Sequence, residues 1–389
     1  MNSLYNLSPL VNLMLMGVLL ALGPLAWVGW RNRRATPLGR FQALTLLTLF
    51  LTFDLVMFGA FTRLTDSGLG CPDWPGCYGY TTPLGANSHI AAAQSAMPMG
   101  PVTVGKAWIE MIHRYLATGV GVLILVLAVA SWLGRARAAQ SRMVSPWWPT
   151  LTLFWVCLQG AFGALTVTMK LFPAIVTLHL VGGLTLLALL SVQVVRSAQA
   201  QGNAVLTLVT PGVRRLMWAT LALLFVQVVL GGWVSTNYAV LACSDFPKCQ
   251  GSWWPAMNFS QGFEFWRSLG QTAEGEAISF AALTAIHYVH RSMAFIVLLV
   301  FGLLAWQLNR LPALRRHSRW LAGLISLQLI TGLSNVVLGW PLLAAVLHTG
   351  GAGALVIVMT WTLAGSRTST SSITWAPQAS NSAKSRLPA

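Results

Sequence analysis

Four histidines occupy matching places in two halves of the chain, each near one end of a hydrophobic segment. They are His113, His179, His290 and His348. An imidazole inside a bilayer is energetically costly, so it usually faces a partner, a cavity or a cofactor. One such residue alone can equally be an interior polar group that hydrogen-bonds a neighbouring helix. Two pairs at matching positions favour a more specific role, because neutral imidazoles are axial ligands of haem iron.

The depth of these imidazoles fits a pair of haem sites. The first member of each pair follows a long loop, and the second follows a very short turn. At a rise of about 1.5 Å per residue, each lies roughly 8–14 Å below the same end of its helix. Facing helices can then hold a flat macrocycle between two imidazoles. Glycines that permit close helix approach flank the second members; they are Gly182, Gly183, Gly350, Gly351 and Gly353.

Charged residues beside the histidines differ between the halves. Glu110 lies three residues before His113, and the aligned position of the second half is His287. A carboxylate there could steer protons, stabilise a cationic intermediate or hydrogen-bond a ligand; the alternative is a glutamate that complements the helix dipole. Arg114 and Arg291 directly follow the first histidine of each pair. A buried arginine usually pairs with an anion, which predicts contact with haem propionates, unless the side chain snorkels towards water.

Asp54 is the one acidic residue well inside the second apolar segment, and its repeat equivalent is Val226. An intramembrane aspartate is either a functional group or a partner in a structural hydrogen bond. The Glu-x-x-His spacing also occurs in di-iron carboxylate bundles, but those need about four inward carboxylates. Of the 8 acidic residues, only Asp54 and Glu110 fall in apolar segments, so a di-iron site is excluded.

These residues must be positioned by membrane-spanning helices. The chain of 389 residues is 56% hydrophobic and only 8% charged, and about 20 apolar residues span a bilayer as a helix. We predict nine spans, 10–30, 41–62, 108–133, 147–168, 173–195, 214–236, 281–306, 319–339 and 341–363. The first lacks a small-residue cleavage site and runs on to Trp30, which predicts an anchor and not a cleaved signal peptide.

The net charge of +16 reflects topology and not nucleic-acid binding. The loops after the odd-numbered spans, with the tail, hold Arg31, Arg33, Arg34, Arg40, Arg135, Arg137, Arg142, Arg196, Arg214, Arg215, Arg310, Arg315, Arg316, Arg319, Arg367, Lys384 and Arg386. The opposite loops hold only Arg63, Lys106, Lys170, Lys248 and Arg267. The positive-inside rule therefore predicts an N-terminus outside and a C-terminus in the cytoplasm.

This orientation puts the two long loops, 63–107 and 237–280, outside. Each contains a cysteine pair with the same spacing, and the pairs are Cys71 with Cys77 and Cys243 with Cys249. An oxidising compartment favours a structural disulfide in each loop, and redox-active pairs are the alternative. Cys157 lies in a span, where we expect it to pack as a small apolar residue.

The two halves are an internal duplication. Residues 59–71 align without gaps to 231–243, and residues 158–167 align to 327–336 in the same frame as His179 and His348. Polar residues recur in the same order in both halves, so the alignment does not depend on hydrophobicity alone. The predicted fold is an all-α polytopic membrane protein with two tandem four-helix bundles, 41–195 and 214–363, related by an axis along the membrane normal. Residues 1–40 add a further helix, 196–213 form a cytoplasmic linker, and 364–389 form a disordered tail.

The motifs resemble those of the bacterial haem A synthase family. The resemblance rests on TRLTDSGLGCPDWPGC (62–77), IEMIHRYLATGVG (109–121), LQGAFGALTV (158–167) and the TLHLVGG stretch, and it covers residues 41–363 with the second-half copies in order. The additional span 10–30 and the long outer loops, particularly 78–105, depart from the family core.

That resemblance implies a multi-pass protein of the bacterial inner membrane, with periplasmic cysteine loops, that oxidises a methyl group of haem O to the formyl group of haem A for cytochrome oxidase assembly. It implies that His113 and His179 contact haem O, that His290 and His348 ligate haem b, and that Glu110 is catalytic. Contacts with haem O synthase, with an electron acceptor or quinone, and with a second copy of the chain are expected.

Three other functions stay open at this point. A dihaem b-type electron carrier or quinone oxidoreductase also uses two bis-histidine sites, although it does not explain a glutamate in one half only. A membrane thiol oxidase would use the outer cysteine pairs but leaves four aligned histidines unexplained. A transporter suits the repeats but not the paired histidines at similar depth.

Overall fold

The computed structural model describes residues 8–137, 145–204 and 206–369, and these are mostly helical. The α-helices are α1 Ser8–Arg31, α2 Pro37–Leu64, α3 Asn87–Ala96, α4 Val104–Arg137, α5 Trp147–Thr168, α6 Pro173–Ala200, α7 Pro211–Thr236, α8 Phe259–Gly262, α9 Phe280–Asn309, α10 Arg315–Val337 and α11 Leu342–Ala364. In the described ranges, all of these except α3 and α8 belong to segments long and apolar enough to cross a membrane, nine in total. The prediction of a multi-pass helical membrane protein is confirmed.

Local sequence explains where the helices begin. Thr36 and Thr210 precede prolines at the first positions of α2 and α7, and their hydroxyls accept hydrogen bonds from the backbone N–H groups of Gly39 (3.1 Å) and Val213 (3.3 Å). A threonine cap followed by proline is a strong helix start. It also explains why α2 begins a turn earlier than the predicted span 41–62. The two helices, which the sequence alignment predicts to be equivalent, share this start.

The order of helix neighbours recurs along the chain. α2 packs against α4, α4 against α5, α5 against α6, and α6 against α2; α7, α9, α10 and α11 repeat this order. The two sets meet where α6 contacts α7 and α11, and where α2 contacts α11, around a core that includes Leu187, Met217, Phe301 and Met359. α1 packs mainly against α4. Each set therefore surrounds its own pair of histidines.

One short pair of strands joins the ends of the two helical sets. Strand β1 Thr207–Val209 pairs in parallel with strand β2 Ser366–Thr368, so residues 366–368 of the predicted disordered tail are ordered within a mostly helical fold. The strand holds because Arg214 donates to the backbone oxygen of Ser366 (2.7 Å), and the N–H of Ser369 donates to that of Val209 (3.0 Å). The rest of the predicted tail, with Lys384 and Arg386, lies outside the described residues, as does Arg142.

Cys157 does not pack inside the protein as predicted. Its side chain lies on the exposed face of α5, because α5 packs mainly against α4 and α6 and leaves its other face open. A thiol behaves as a small apolar group, so it is compatible with hydrocarbon on that face.

Candidate functional site

In the first helical set, each histidine faces a glycine on a neighbouring helix. His113 lies on α4 against Gly59 of α2, where a Cβ added to the glycine would lie 2.9 Å from the Nε2 of the imidazole. His179 lies on α6 against Gly163 of α5, where the corresponding distance to Cε1 is 3.3 Å. The two imidazoles are close enough for a charge on one to act on the other. The glycines thus leave space for a pair of imidazoles between four helices.

The second set repeats this arrangement. His290 of α9 lies against Gly231 of α7, and His348 of α11 lies against Gly332 of α10, with distances of 2.9 Å and 3.2 Å from an added Cβ to the imidazole Cε1. These two imidazoles are also close enough for a charge on one to act on the other. The sequence patterns pointed to the glycines after the second histidines and to the match of Gly163 with Gly332, but not to the contact of four glycines with the imidazole rings. Their signal was present, since Gly59 and Gly163 align with Gly231 and Gly332.

The donor set fits an iron macrocycle better than a multinuclear metal centre. Among the described residues, no three or more His, Cys, Asp or Glu side chains lie close enough together to hold one metal ion. Paired neutral imidazoles on facing helices are the usual axial ligands of haem. The Nδ1 atom of His179 is buried, and only the backbone of Gln159 lies near the ring as a polar neighbour, so no other side chain within the described ranges engages this imidazole.

Glu110 is buried beside the first histidine pair and reaches the outer loop. Its carboxylate accepts the backbone N–H of Cys71 (2.8 Å) and forms an ion pair with Arg114. Only 4% of Glu110 is exposed, and it lies beyond the first turn of α4, so the helix-dipole alternative is not supported. A buried carboxylate with one fixed cation is a common arrangement for acid–base chemistry.

Arg114 fastens the same loop to α4. Its guanidinium donates to the backbone oxygens of Asp73 (3.0 Å), Pro75 (3.2 Å) and Gly76 (2.5 Å). Only 8% of the residue is exposed, so it does not snorkel to water. Its contact with a haem propionate stays a prediction.

The second half has the same framework with an imidazole in place of the carboxylate. The backbone N–H of Cys243 donates to Nδ1 of His287 (3.4 Å). Arg291 donates to the backbone oxygens of Cys243 (3.0 Å), Asp245 (2.9 Å) and Lys248 (2.8 Å). At this position, the two halves differ in the charge and proton capacity of one buried group.

Both predicted disulfides are formed. Cys71 bonds Cys77, and Cys243 bonds Cys249. Each loop is closed further by an aspartate that sequence analysis did not single out, although both stand two residues after the first cysteine. Asp73 accepts the N–H groups of Tyr78 (2.6 Å) and Gly79 (2.7 Å).

Asp245 makes the equivalent contacts in the second loop. It accepts the N–H groups of Gln250 (2.6 Å) and Gly251 (2.9 Å). The bond from Gly251, with that from Gln250, holds the pKa of the Asp245 carboxyl below its usual range, because both bonds favour the charged form. The loop is therefore closed by a charged carboxylate at neutral pH.

Asp54 lies on an exposed face of α2, and within the described ranges no hydrogen bond or ion pair engages it. The expected structural hydrogen bond is thus not found. A functional role for this carboxylate stays a prediction.

Comparison with known proteins agrees with the motifs. A sequence profile of the COX15-CtaA family, described as cytochrome oxidase assembly proteins, matches residues 42–360. A protein of Shewanella oneidensis named "Heme A synthase" is 38% identical over 80% of this chain and 92% of its own length. Proteins of the same name from Rhodospirillum centenum and Symbiobacterium thermophilum are 29% and 26% identical, over 80% and 79% of this chain and 84% and 90% of their own lengths.

The matched range includes all four histidines, both disulfides and Glu110. It leaves out α1, which precedes it, and β2, which follows it. On this evidence the chain belongs to the COX15-CtaA family of cytochrome oxidase assembly proteins.

Proposed function

We propose that this protein is a haem A synthase, which oxidises a methyl group of haem O to the formyl group of haem A in the membrane for cytochrome c oxidase assembly. The observation that carries the proposal is the pair of imidazoles in each helical set, with Glu110 beside the first pair only. Family membership and relatives named "Heme A synthase" support it. An electron carrier with two equal haems gives no reason for this difference between the halves.

In this proposal the first half binds the substrate and the second half binds a resident cofactor. His113 and His179 hold haem O, while His290 and His348 hold haem b. When bound, haem b supplies one-electron transfer. Arg114 and Arg291 keep the disulfide loops over the two sites, and their remaining donors are available to haem propionates.

Glu110 acts as the proton acceptor for the substrate. With two imidazoles on the haem O iron, no position is free for O2, so water supplies the oxygen atom. In the first step, the methyl group and water form a hydroxymethyl group with loss of two electrons and two protons. In the second step, the hydroxymethyl group loses two electrons and two protons and becomes a formyl group. A quinone-class acceptor takes the electrons. Glu110 accepts a proton at the reacting carbon, and its buried position excludes bulk water as a competing base.

The architecture proposed with this function is two tandem four-helix bundles, residues 41–195 and 214–363, with the N-terminus outside and the C-terminus in the cytoplasm. The loops with the disulfides then lie in the periplasm of a bacterial inner membrane. The same order of helix neighbours in the two sets supports the tandem arrangement. Transfer from haem O synthase and self-association belong to this proposal as expected partners.

The substitution Glu110→Gln tests the function. The amide keeps an oxygen that can accept the Cys71 N–H but cannot accept a proton from substrate. We expect conversion of haem O to fall by about 10²–10⁴-fold, with haem O accumulating and haem b retained, as measured by chromatography of extracted haems. Glu264→Gln, which changes an outer-loop carboxylate that accepts the N–H of Ala273, is the matched control and leaves conversion unchanged.

The same measurement separates the rival functions. Undiminished haem A production in the Glu110→Gln variant would contradict the proposed role of the carboxylate. A protein that yields only haem b, with or without the substitution, would be a dihaem electron carrier. Conversion that is retained when Cys71 and Cys77 are replaced by serine would exclude obligatory thiol catalysis.

A further inference from the structure

We propose that Gln227 and Thr331 hold the two imidazoles of the second half as permanent haem ligands, and that their absence from the first half leaves its imidazoles able to release a haem. This inference rests on the proposed function and deepens it. It assigns the difference between a resident and an exchangeable haem to two side chains that do not touch iron. They are positioning residues and not catalytic ones.

Gln227 of α7 contacts His290 twice. Its side-chain amide lies 3.1 Å from Nδ1 of the imidazole, and its Nε2 donates to the backbone oxygen of His290 (3.2 Å). When Nε2 of a neutral imidazole binds iron, Nδ1 carries the proton and needs an acceptor. The Oε1 atom of Gln227 is buried and has no hydrogen-bond partner in the described part of the chain. Rotation of the amide would bring this oxygen to Nδ1, in exchange for the donation of Nε2 to the His290 backbone oxygen.

Thr331 of α10 serves His348 in the same way. Its hydroxyl donates to the backbone oxygen of Leu327 (2.7 Å), so its oxygen is left to accept from Nδ1 of His348, 2.9 Å away. An imidazole that donates through Nδ1 presents the lone pair of Nε2 to a metal. Both histidines of the second half thus have a partner for the nitrogen that does not bind iron.

The first half has no such side-chain partners for Nδ1. In the alignment of Gly59 with Gly231, the residue equivalent to Gln227 is Leu55. In the alignment of His179 with His348, the residue equivalent to Thr331 is Phe162. Neither Leu nor Phe can accept a hydrogen bond.

The imidazoles of the first half reflect this difference. Nδ1 of His179 is buried without a side-chain hydrogen-bond partner among the residues described, and only the backbone of Gln159 lies near the ring as a polar neighbour. The imidazole of His113 turns Nε2 towards Gly59, whereas that of the equivalent His290 turns Cε1 towards Gly231. The rings of the first half are therefore positioned by packing and not by side-chain hydrogen bonds to Nδ1.

This difference matches the tasks of the two sites. A hydrogen bond from Nδ1–H to a protein acceptor orients the imidazole and makes it a stronger ligand, and its loss usually costs 10–100-fold in affinity. A resident cofactor benefits from that gain. A substrate site must let its product go after each turnover, so a weaker grip on iron favours turnover.

The variants Gln227→Leu and Thr331→Val test the inference in the purified, haem-containing protein. We expect haem b to be lost to excess apomyoglobin about 10–100-fold faster, and its reduction midpoint potential to rise because the imidazole donates less to iron. Gln193→Leu and Thr362→Val are matched controls. Gln193 donates to Thr45 (3.2 Å) and Thr362 to the backbone oxygen of Val358 (2.7 Å), both buried. Neither control changes the loss rate or the potential.

Two further variants keep the result decisive. Gln227→Glu retains an acceptor oxygen, so it should keep haem b loss slow and lower the potential, a change opposite in sign to that of Gln227→Leu. The double variant Leu55→Gln, Phe162→Thr should slow the release of haem from the first half. Equal loss rates and equal potentials in Gln227→Leu, Thr331→Val and wild type would overturn the inference.

The failure of this inference can be told apart from failure of the proposed function. A colourless protein from haem-replete cells, without Soret absorbance, would refute the function itself. A haem-containing protein that converts haem O, yet whose haem b is unaffected by the variants at Gln227 and Thr331, would refute only the inference.

Discussion

Glu110 and His287 occupy equivalent positions, and each accepts the backbone N–H of the first cysteine in its loop. The contact that holds the loop is therefore kept in both halves, while the chemical character of the accepting group changes. A carboxylate can take a proton and stabilise positive charge, which a neutral imidazole with its Nδ1 engaged does less well. In the proposed function, this buried position is one at which the two halves differ on a shared framework.

Asp245 makes the second disulfide loop sensitive to acid. Because backbone hydrogen bonds hold its pKa below the usual range, the charged form stabilises the loop at every pH above that range, and the contribution is lost as pH falls through the lowered pKa. We expect amide exchange in residues 243–252, corrected for intrinsic rates, to stay slow at neutral pH and to speed up only in strong acid.

The variant Asp245→Asn serves as the reference for this prediction. It cannot lose a negative charge, so the exchange of its loop should not depend on protonation at position 245. Loop opening near neutral pH in the wild-type protein would contradict the lowered pKa. Glu264→Gln, which changes a carboxylate outside residues 243–252, should reproduce the wild-type exchange profile.

The residues that sequence patterns revealed are those with a periodic or duplicated signal. The four histidines, the cysteine pairs and Glu110 all stand at aligned positions. Gln227 and Thr331 went unnoticed because their equivalents are Leu55 and Phe162, so the alignment contains no repeated polar landmark there. Their role depends on contacts between helices, which spacing along one chain does not reveal.

At the scale of helices, the sites depend on close approach of glycine to imidazole. Four helix pairs use it, α2 with α4, α5 with α6, α7 with α9, and α10 with α11. Small residues allow helices in membranes to approach closely, where apolar burial alone gives little driving force. In each helix pair, the glycine therefore determines how closely the imidazole can approach the neighbouring helix.

The substitution Gly231→Ala tests this dependence. The new methyl group would lie 2.9 Å from Cε1 of His290, so the ring or the helix must move. We expect a drop in bound haem b of about ten-fold or more, measured by pyridine-haemochrome spectra of the purified protein. Gly302→Ala on α9 meets nothing within 4 Å and should keep full haem content, with a gain in stability of up to about 1 kcal/mol from helix propensity. Equal haem content in the two variants would contradict the packing argument.

Apolar runs predicted all nine spans well, because length and hydrophobicity alone decide them. The short helices α3 and α8 and the strand pair β1–β2 were missed. They are too short for an apolar run to reveal them, and the strands also depend on a long-range pairing, such as that of Thr207 with Ser366. Helix pairs in the membrane were thus more predictable than the segments that connect them.

At the scale of the whole molecule, the two sets of helices are joined at both ends. Near the disulfide loops, Arg63 donates to the backbone oxygen of Ser235 (2.7 Å), and the hydroxyl of Tyr238 donates to Asp66 (2.6 Å). At the opposite end, β1 follows the first set and β2 follows the second, and the two strands pair. Joining both ends fixes the position of one histidine pair relative to the other. Electron transfer between the two proposed haems requires such a fixed position.

The orientation of the whole molecule can be tested with reporters inserted into the full chain. Gly202 and Gly270 both lie in exposed turns with φ of +76° and +75° and with nothing within 4 Å of an added Cβ, and such turns tolerate insertion. The positive-inside rule predicts that Gly270 faces the periplasm and Gly202 the cytoplasm. Alkaline phosphatase should therefore be active when inserted at Gly270 and inactive at Gly202, and a fluorescent protein that folds only in the cytoplasm should show the reverse. Phosphatase activity at Gly202 alone would place both disulfides in a reducing compartment, where such bonds rarely persist, and would contradict the proposed topology.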